Sequence, residues 1–122
     1  ACNNCREMET RVWSDPRVLE MLRNEYVIIA LYVDDKTTLP EDEWMVNSKG
    51  KKKKTSIGSK NSAFQISKFD ANAQPYYCLM GHNGELLVEP RSYNLDKDAF
   101  VDFLKKGVEN FNNGVSIRNI FE

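Results

Sequence analysis

Cys2 and Cys5, near the start of the chain, are separated by two asparagines. At a helix start, cysteines with this spacing can close a small disulfide ring without moving the helix. The first thiol then lies beside unpaired backbone N–H groups and the positive end of the helix dipole, which both favour the reactive thiolate. We therefore expect Cys2 to attack a partner disulfide. Cys5, one turn further into the helix and more buried, is expected to resolve the mixed disulfide.

The cysteine pair also permits other interpretations. The chain has three cysteines, too few for a disulfide-dense secreted scaffold. Cys78 and His82, with three residues between them, could join the pair in a Cys3His zinc site, and an inert pair is a further alternative. A cysteine in an apolar run such as Tyr76–Met80 more often acts as a small hydrophobe. We therefore expect no metal, and no cofactor other than the redox-active Cys2–Cys5 disulfide.

The composition is that of an ordinary globular chain of single-domain size. Of its 122 residues, 41% are hydrophobic and 29% are charged. The formal net charge of −1 gives no global attraction to nucleic acid or to an acidic membrane, and no apolar run is long enough to span a membrane. The start at Ala1, without Met, is typical of a processed or engineered end.

The elements that must position the cysteines can be predicted from local patterns. Residues 3–12 are expected to form a helix that carries Cys5. Ser14 or Asp15 can cap a second helix, with Pro16 in its first turn, ending near Asn24. The β-branched and aromatic run Tyr26–Val33 predicts a strand buried on both faces, as in a parallel sheet.

The rest of the chain alternates between polar segments and apolar runs. Residues 36–58 form a polar surface insertion in which Lys51–Lys54 could bind phosphate, although a solvated loop is the more ordinary interpretation. The later predictions are a helix over 59–69, a strand Tyr76–Met80, a hairpin turn Gly81–Gly84, a strand Glu85–Val88 and a helix over 96–112. The domain should cover residues 1–112, and the apolar tail 113–122 should pack. This order predicts an α/β sandwich, a mixed sheet flanked by helices.

Several segments together resemble one protein family. The family is the C-terminal periplasmic domain of DsbD-type thiol:disulfide interchange proteins, particularly versions from Bacteroides-type bacteria with a comparable lysine-containing insertion. The similar segments are Cys2–Glu9, Val12–Val18, Tyr26–Val27, Leu31–Asp35 and Phe69–Tyr77. The resemblance extends over most of the chain up to about Phe111.

The resemblance implies a thioredoxin-like fold in the periplasm, as part of an inner-membrane protein. Such a domain takes electrons from a membrane-embedded domain of the same parent protein and passes them to periplasmic thioredoxin-like partners. The resemblance also implies roles for single residues: Cys2 is the nucleophile, Cys5 is the resolving thiol, and Pro75 is a cis-proline that, with Gln74, shapes the groove for the partner. An X–Pro bond is the one peptide bond that becomes cis at modest cost. A redox-inert binding module of the same fold is the alternative.

One element of that fold has no counterpart in this sequence. Thioredoxin-like domains have a central strand immediately before the two cysteines, whereas only Ala1 precedes Cys2. Its absence would leave unpaired edges on Tyr26–Val33 and Tyr76–Met80, at about 1–3 kcal/mol for each buried unpaired group. We expect either a second copy of the chain, in a homodimer, or the tail around Val115–Ile120 to fill the slot.

Overall fold

The computed structural model describes residues 2–122, so the expectation concerning Ala1 lies outside the described residues. The chain forms two compact units: one contains the residues up to Ile28 together with Ala73–Glu122, and the other is Ile29–Asn72. The helices are α1 (Asn3–Met8), α2 (Pro16–Asn24), α3 (Ile57–Phe69) and α4 (Lys97–Asn112), with a π-helical turn Glu9–Trp13 and a 3-10 turn Glu41–Glu43. The strands are β1 (Met45–Val46), β2 (Lys52–Lys53), β3 (Glu85–Leu86) and β4 (Arg118–Asn119). The chain is therefore of mixed helix and strand class, as predicted.

The two N-terminal helices follow their local signals. α1 and the π-helical turn that continues it cover the helix predicted over residues 3–12. The Asp15 carboxylate accepts a hydrogen bond from the backbone N–H of Arg17 at 2.9 Å, and Pro16 occupies the first helical position. α2 then ends at Asn24, so its predicted cap and both of its predicted ends are confirmed.

The buried strand predicted over Tyr26–Val33 is wrong. The stretch takes part in no β-ladder, and its side chains from Val27 to Tyr32 are exposed, including Val27 at 92% and Ile29 at 79%. A strand that is apolar on both faces is stable only when neighbouring strands satisfy its backbone groups and other elements cover both faces. Within residues 2–122, no strand pairs with this stretch.

The predicted mixed sheet is also absent: the described strands form two separate antiparallel pairs, β1 with β2 and β3 with β4. The hairpin turn at Gly81–Gly84 is confirmed, since Gly81 N–H donates to the Glu85 carbonyl at 2.8 Å. The strand predicted at Tyr76–Met80 is reduced to two isolated bridges, Tyr77 with Arg91 and Met80 with Leu86.

The C-terminal tail is held by backbone pairing: β4 pairs with β3, and Ile120 is only 4% exposed, whereas the side chains of Val115, Ile117 and Phe121 are exposed. This pairing overturns the expectation that the tail fills a slot beside Tyr26–Val33. The backbone N–H of Ile117 donates to the Leu86 carbonyl and that of Ile120 donates to the Gly84 carbonyl, so the tail is held by the 84–86 segment.

The core of the first unit forms where α1, the π-helical turn, α2 and α4 meet. Its buried side chains are Met8, Val12, Val18, Leu79, Leu87, Phe100, Val101 and Leu104. α4 begins after Asp96, whose carboxylate accepts from the backbone N–H of Ala99 at 3.0 Å. The predicted helix over 96–112 is confirmed, although Phe111, predicted on its apolar face, is 46% exposed.

The second unit contains the predicted insertion and α3. Lys51–Lys54 are exposed, as expected, but Lys52–Lys53 form β2 instead of a loop. α3 starts two residues before its predicted beginning because Ser56 caps it, accepting from the backbone N–H of Ser59 at 3.1 Å. Among residues 2–122, no helix is long and apolar enough to cross a membrane.

Candidate functional site

Cys2 and Cys5 form a disulfide at the first turn of α1, with their Cα atoms 5.2 Å apart. Cys2 is the N-cap residue, with extended backbone angles, and its Sγ accepts a hydrogen bond from the backbone N–H of Cys5 at 3.1 Å. A cysteine sulfur thus takes the place of the usual capping oxygen. Both residues are partly buried, so the structure does not show the predicted difference in their burial.

The electrostatic surroundings of the cysteine pair favour negative charge on sulfur. The first turn of α1 contains no acidic side chain. The positive end of the helix dipole and the Cys5 amide proton therefore act on the Cys2 sulfur without an opposing carboxylate in that turn. Asn3 and Asn4, between the cysteines, are neutral and exposed.

Buried side chains fix the cysteine-bearing helix in the first unit. Met8 at the end of α1 and Val12 in the π-helical turn are fully buried in the core. The Trp13 ring centroid lies 6.1 Å from that of Tyr77, which lies 5.3 Å from that of Phe100 in α4. The disulfide therefore lies at the start of a helical segment whose C-terminal end, at Trp13, packs among aromatic side chains.

A hydrogen bond that sequence reasoning missed connects α1 with the loop before α4. The Tyr93 hydroxyl donates to Glu7 Oε2 at 2.9 Å, and Arg11 Nη1 donates to Glu7 Oε1 at 2.8 Å. These two hydrogen bonds, that of Tyr93 first, hold the pKa of Glu7 below its usual range, and the same bond raises the pKa of Tyr93. Only the Glu7–Arg11 pair has a sequence signal, the i,i+4 spacing.

Pro75 and Gln74, the residues assigned to a partner groove, lie in the same compact unit as the cysteines. The Gln74–Pro75 peptide bond is cis, as predicted. Pro75 is buried and Gln74 is partly buried. Their role in partner binding stays a prediction.

Cys78 and His82 are the two residues that would complete the alternative zinc site with Cys2 and Cys5. Cys78 is a free, partly buried thiol, and burial raises its pKa to about 11. His82 is exposed, and its ring centroid lies 5.2 Å from that of Phe111. Across residues 2–122, no three His, Cys, Asp or Glu side chains are grouped so that they could hold a metal ion.

Comparison of the chain with models of known protein families gave no match. Comparison with curated proteins likewise gave none.

Proposed function

We propose that the chain is a thioredoxin-like domain of DsbD type and that Cys2 and Cys5 exchange thiols for disulfides. The carrying observation is the Cys2–Cys5 disulfide at the helix start, in which Cys2 Sγ accepts the Cys5 amide proton. The same N–H and the helix dipole stabilise the thiolate that forms on Cys2 when the pair is reduced.

The proposed reaction has two steps. The Cys2 thiolate attacks one sulfur of a partner disulfide, so that a mixed disulfide forms and the other partner sulfur leaves as a thiolate. Cys5, as a thiolate, then attacks the Cys2 sulfur, which closes the Cys2–Cys5 disulfide and releases the second partner thiolate. The partner gains two electrons and takes up two protons, and the cysteine pair loses the same number.

The partners and the location are proposed from the family resemblance described above. The domain would lie in the periplasm as part of an inner-membrane protein. A membrane-embedded domain of the same protein would reduce the pair, and periplasmic thioredoxin-like proteins would reoxidise it. Pro75, with Gln74 before it, would shape the groove that receives the partner's extended chain.

The proposal is tested by insulin reduction with dithiothreitol as electron source. We expect the wild-type chain to accelerate insulin precipitation and the Cys2→Ser variant to lose this acceleration, because the attacking thiolate is gone. Cys78→Ser is the matched control and should retain the wild-type rate. Equal rates for the wild type and Cys2→Ser would leave a redox-inert binding module as the function.

A second measurement examines the order of the two cysteines. The Cys5→Ser variant lacks the resolving thiol, so it should accumulate a covalent complex with a disulfide-containing substrate on non-reducing gels. Accumulation with Cys2→Ser instead would reverse the two roles. About one zinc ion per chain in the purified, reduced protein would favour the Cys3His site over redox exchange.

A further inference from the structure

The β1–β2 hairpin carries a concentration of positive charge that the proposed redox chemistry does not use. Five of the six residues 49–54 are lysines, all of them exposed, although the net charge of the whole chain is −1. Within the part of the chain that the structure describes, none of these ammonium groups has a carboxylate partner. Their charge is therefore available to an external anion.

The turn that displays these lysines is ordered by one asparagine. Asn47 Oδ1 accepts from the backbone N–H groups of Lys49 and Lys51, at 2.9 and 3.0 Å. The Asn47 N–H donates to the Lys51 carbonyl at 2.8 Å, and Gly50 adopts a φ of +76°, a left-handed conformation that suits glycine. The hairpin therefore presents its lysines without first having to order its backbone.

One face of the hairpin combines charge with an apolar side chain. Val46 pairs across the ladder with Lys52, so the two side chains share a face. Lys54 is exposed one residue beyond the end of β2, and continued strand alternation puts it on the same face as Lys52. Val46 is 61% exposed. An exposed apolar side chain among unpaired lysines suits a surface that has an anionic layer above an apolar interior.

We propose that the hairpin face formed by Val46, Lys52 and Lys54 docks on a membrane surface rich in anionic lipid headgroups. Lysine is a compact, strongly hydrated point charge, which suits many mobile phosphates better than one fixed, bidentate carboxylate. Neighbouring lysines of a cluster add their attraction to such a surface, and Val46 reaches the acyl boundary. This inference does not depend on the redox proposal, since it uses none of the residues of the first unit.

The test is sedimentation of the full chain with phosphatidylcholine vesicles that contain or lack phosphatidylglycerol. We expect binding only to the anionic vesicles and release at high salt, because screening weakens exposed charges. Each lysine removed should weaken partitioning about fivefold, so Lys52→Gln/Lys54→Gln should weaken it about 25-fold. Val46→Ser should weaken the binding that remains at intermediate salt.

Lys105→Gln/Lys106→Gln on α4 is the matched control, because it changes the net charge equally at exposed positions of the other unit. All variants should keep the wild-type circular dichroism spectrum. Equal losses in both double variants would reduce the effect to net charge and overturn the proposal. The absence of vesicle binding at low salt would also overturn the proposal. In that case, binding of the chain to soluble polyglutamate would identify an acidic protein surface as the partner.

Discussion

Cys78 shows how strongly the surroundings of a residue decide its chemistry. It is the third cysteine of the chain, yet it stays a free thiol while Cys2 and Cys5 are joined. Removal from water raises its pKa to about 11, and the opposing attraction of Arg118 is the smaller effect. A thiol in this state is a poor nucleophile near neutral pH, so in the proposed exchange it would not compete with Cys2.

The first prediction concerns alkylation of Cys78 in the Cys2→Ser/Cys5→Ser background. In the folded chain, the rate with iodoacetamide should rise with pH up to about pH 11, whereas in urea it should level off near the ordinary thiol pKa. Near pH 8, the folded thiol should react about 100-fold more slowly than the unfolded one. Equal rates in the two states would show that the thiol is not shielded.

The raised pKa of Cys78 also makes the free energy of unfolding depend on pH in a known direction. Folding favours the neutral thiol, so its contribution is fully present below the unfolded pKa of about 9 and is lost as pH rises toward 11. The Cys78→Ala variant should therefore lose less stability than the Cys78-containing chain between these pH values. Urea unfolding at several alkaline pH values, in the same double-serine background, measures this difference.

Some elements of this fold are specified by their own local sequence, whereas others form only when a distant segment of the chain pairs with them. The cap of α2 and the Cys2–Cys5 turn depend on residues at most three positions apart, and their sequence predictions hold. The stretch Tyr26–Val33 has strong strand composition, but a strand also needs a neighbour, which its composition cannot supply. The Glu7–Tyr93 hydrogen bond joins residues 86 positions apart, so no local sequence pattern predicts it.

The second prediction concerns the anchoring of α1. Met8 is fully buried, so Met8→Ala should lower the free energy of unfolding by about 2–5 kcal/mol through lost burial and a cavity. Met8→Leu, which nearly conserves volume, should cost less than about 1.5 kcal/mol. Urea unfolding measures both. A Met8→Ala variant as stable as Met8→Leu would show that α1 is not held through this side chain.

The third prediction concerns the contact between Tyr93 and Glu7. Glu7 has a lowered pKa, so the stability linked to its ionisation is present above its unfolded value of about 4.5 and is lost as pH falls through the folded value. Tyr93→Phe removes the largest cause of this shift and should lower the thermal midpoint near neutral pH. The difference from wild type should shrink in acid.

Tyr32→Phe is the control for this comparison, because Tyr32 is exposed and lies in the other unit. At protein concentrations at which the chain is monomeric, it should leave the thermal midpoint unchanged at every pH. A Tyr93→Phe difference that is as large in acid as at neutral pH would show that the hydroxyl acts independently of the Glu7 charge.

At the scale of the whole molecule, the largest departure from expectation is the apolar surface left by the stretch Val27–Tyr32. Five of its six side chains are exposed large hydrophobic groups. No backbone N–H of Val27–Leu31 has a hydrogen-bond partner within residues 2–122. Unpaired backbone next to exposed apolar side chains is the usual template for pairing with another chain. The sequence predicts that either the tail or a second copy of the chain pairs with this stretch. Since the tail pairs with β3, a second copy is the remaining predicted partner.

The fourth prediction is therefore concentration-dependent self-association in analytical ultracentrifugation. Ile29→Lys should weaken it while changing the free energy of unfolding of the monomer by no more than about 0.5 kcal/mol, since Ile29 is exposed. Ile66→Lys on α3 adds the same charge at another exposed isoleucine and should leave association unchanged. A chain that stays monomeric at all concentrations would contradict the homodimer.

The division of the chain into a continuous and a discontinuous unit has a consequence for its biosynthesis. The second unit, Ile29–Asn72, is complete as soon as its own residues have left the ribosome. The first unit must wait for α4, although its cysteines emerged long before, because Met8 and Val12 have no core until Phe100 and Leu104 arrive. The cysteine pair is thus synthesised before the helix that completes its core, so its thiols stay accessible until α4 has been translated.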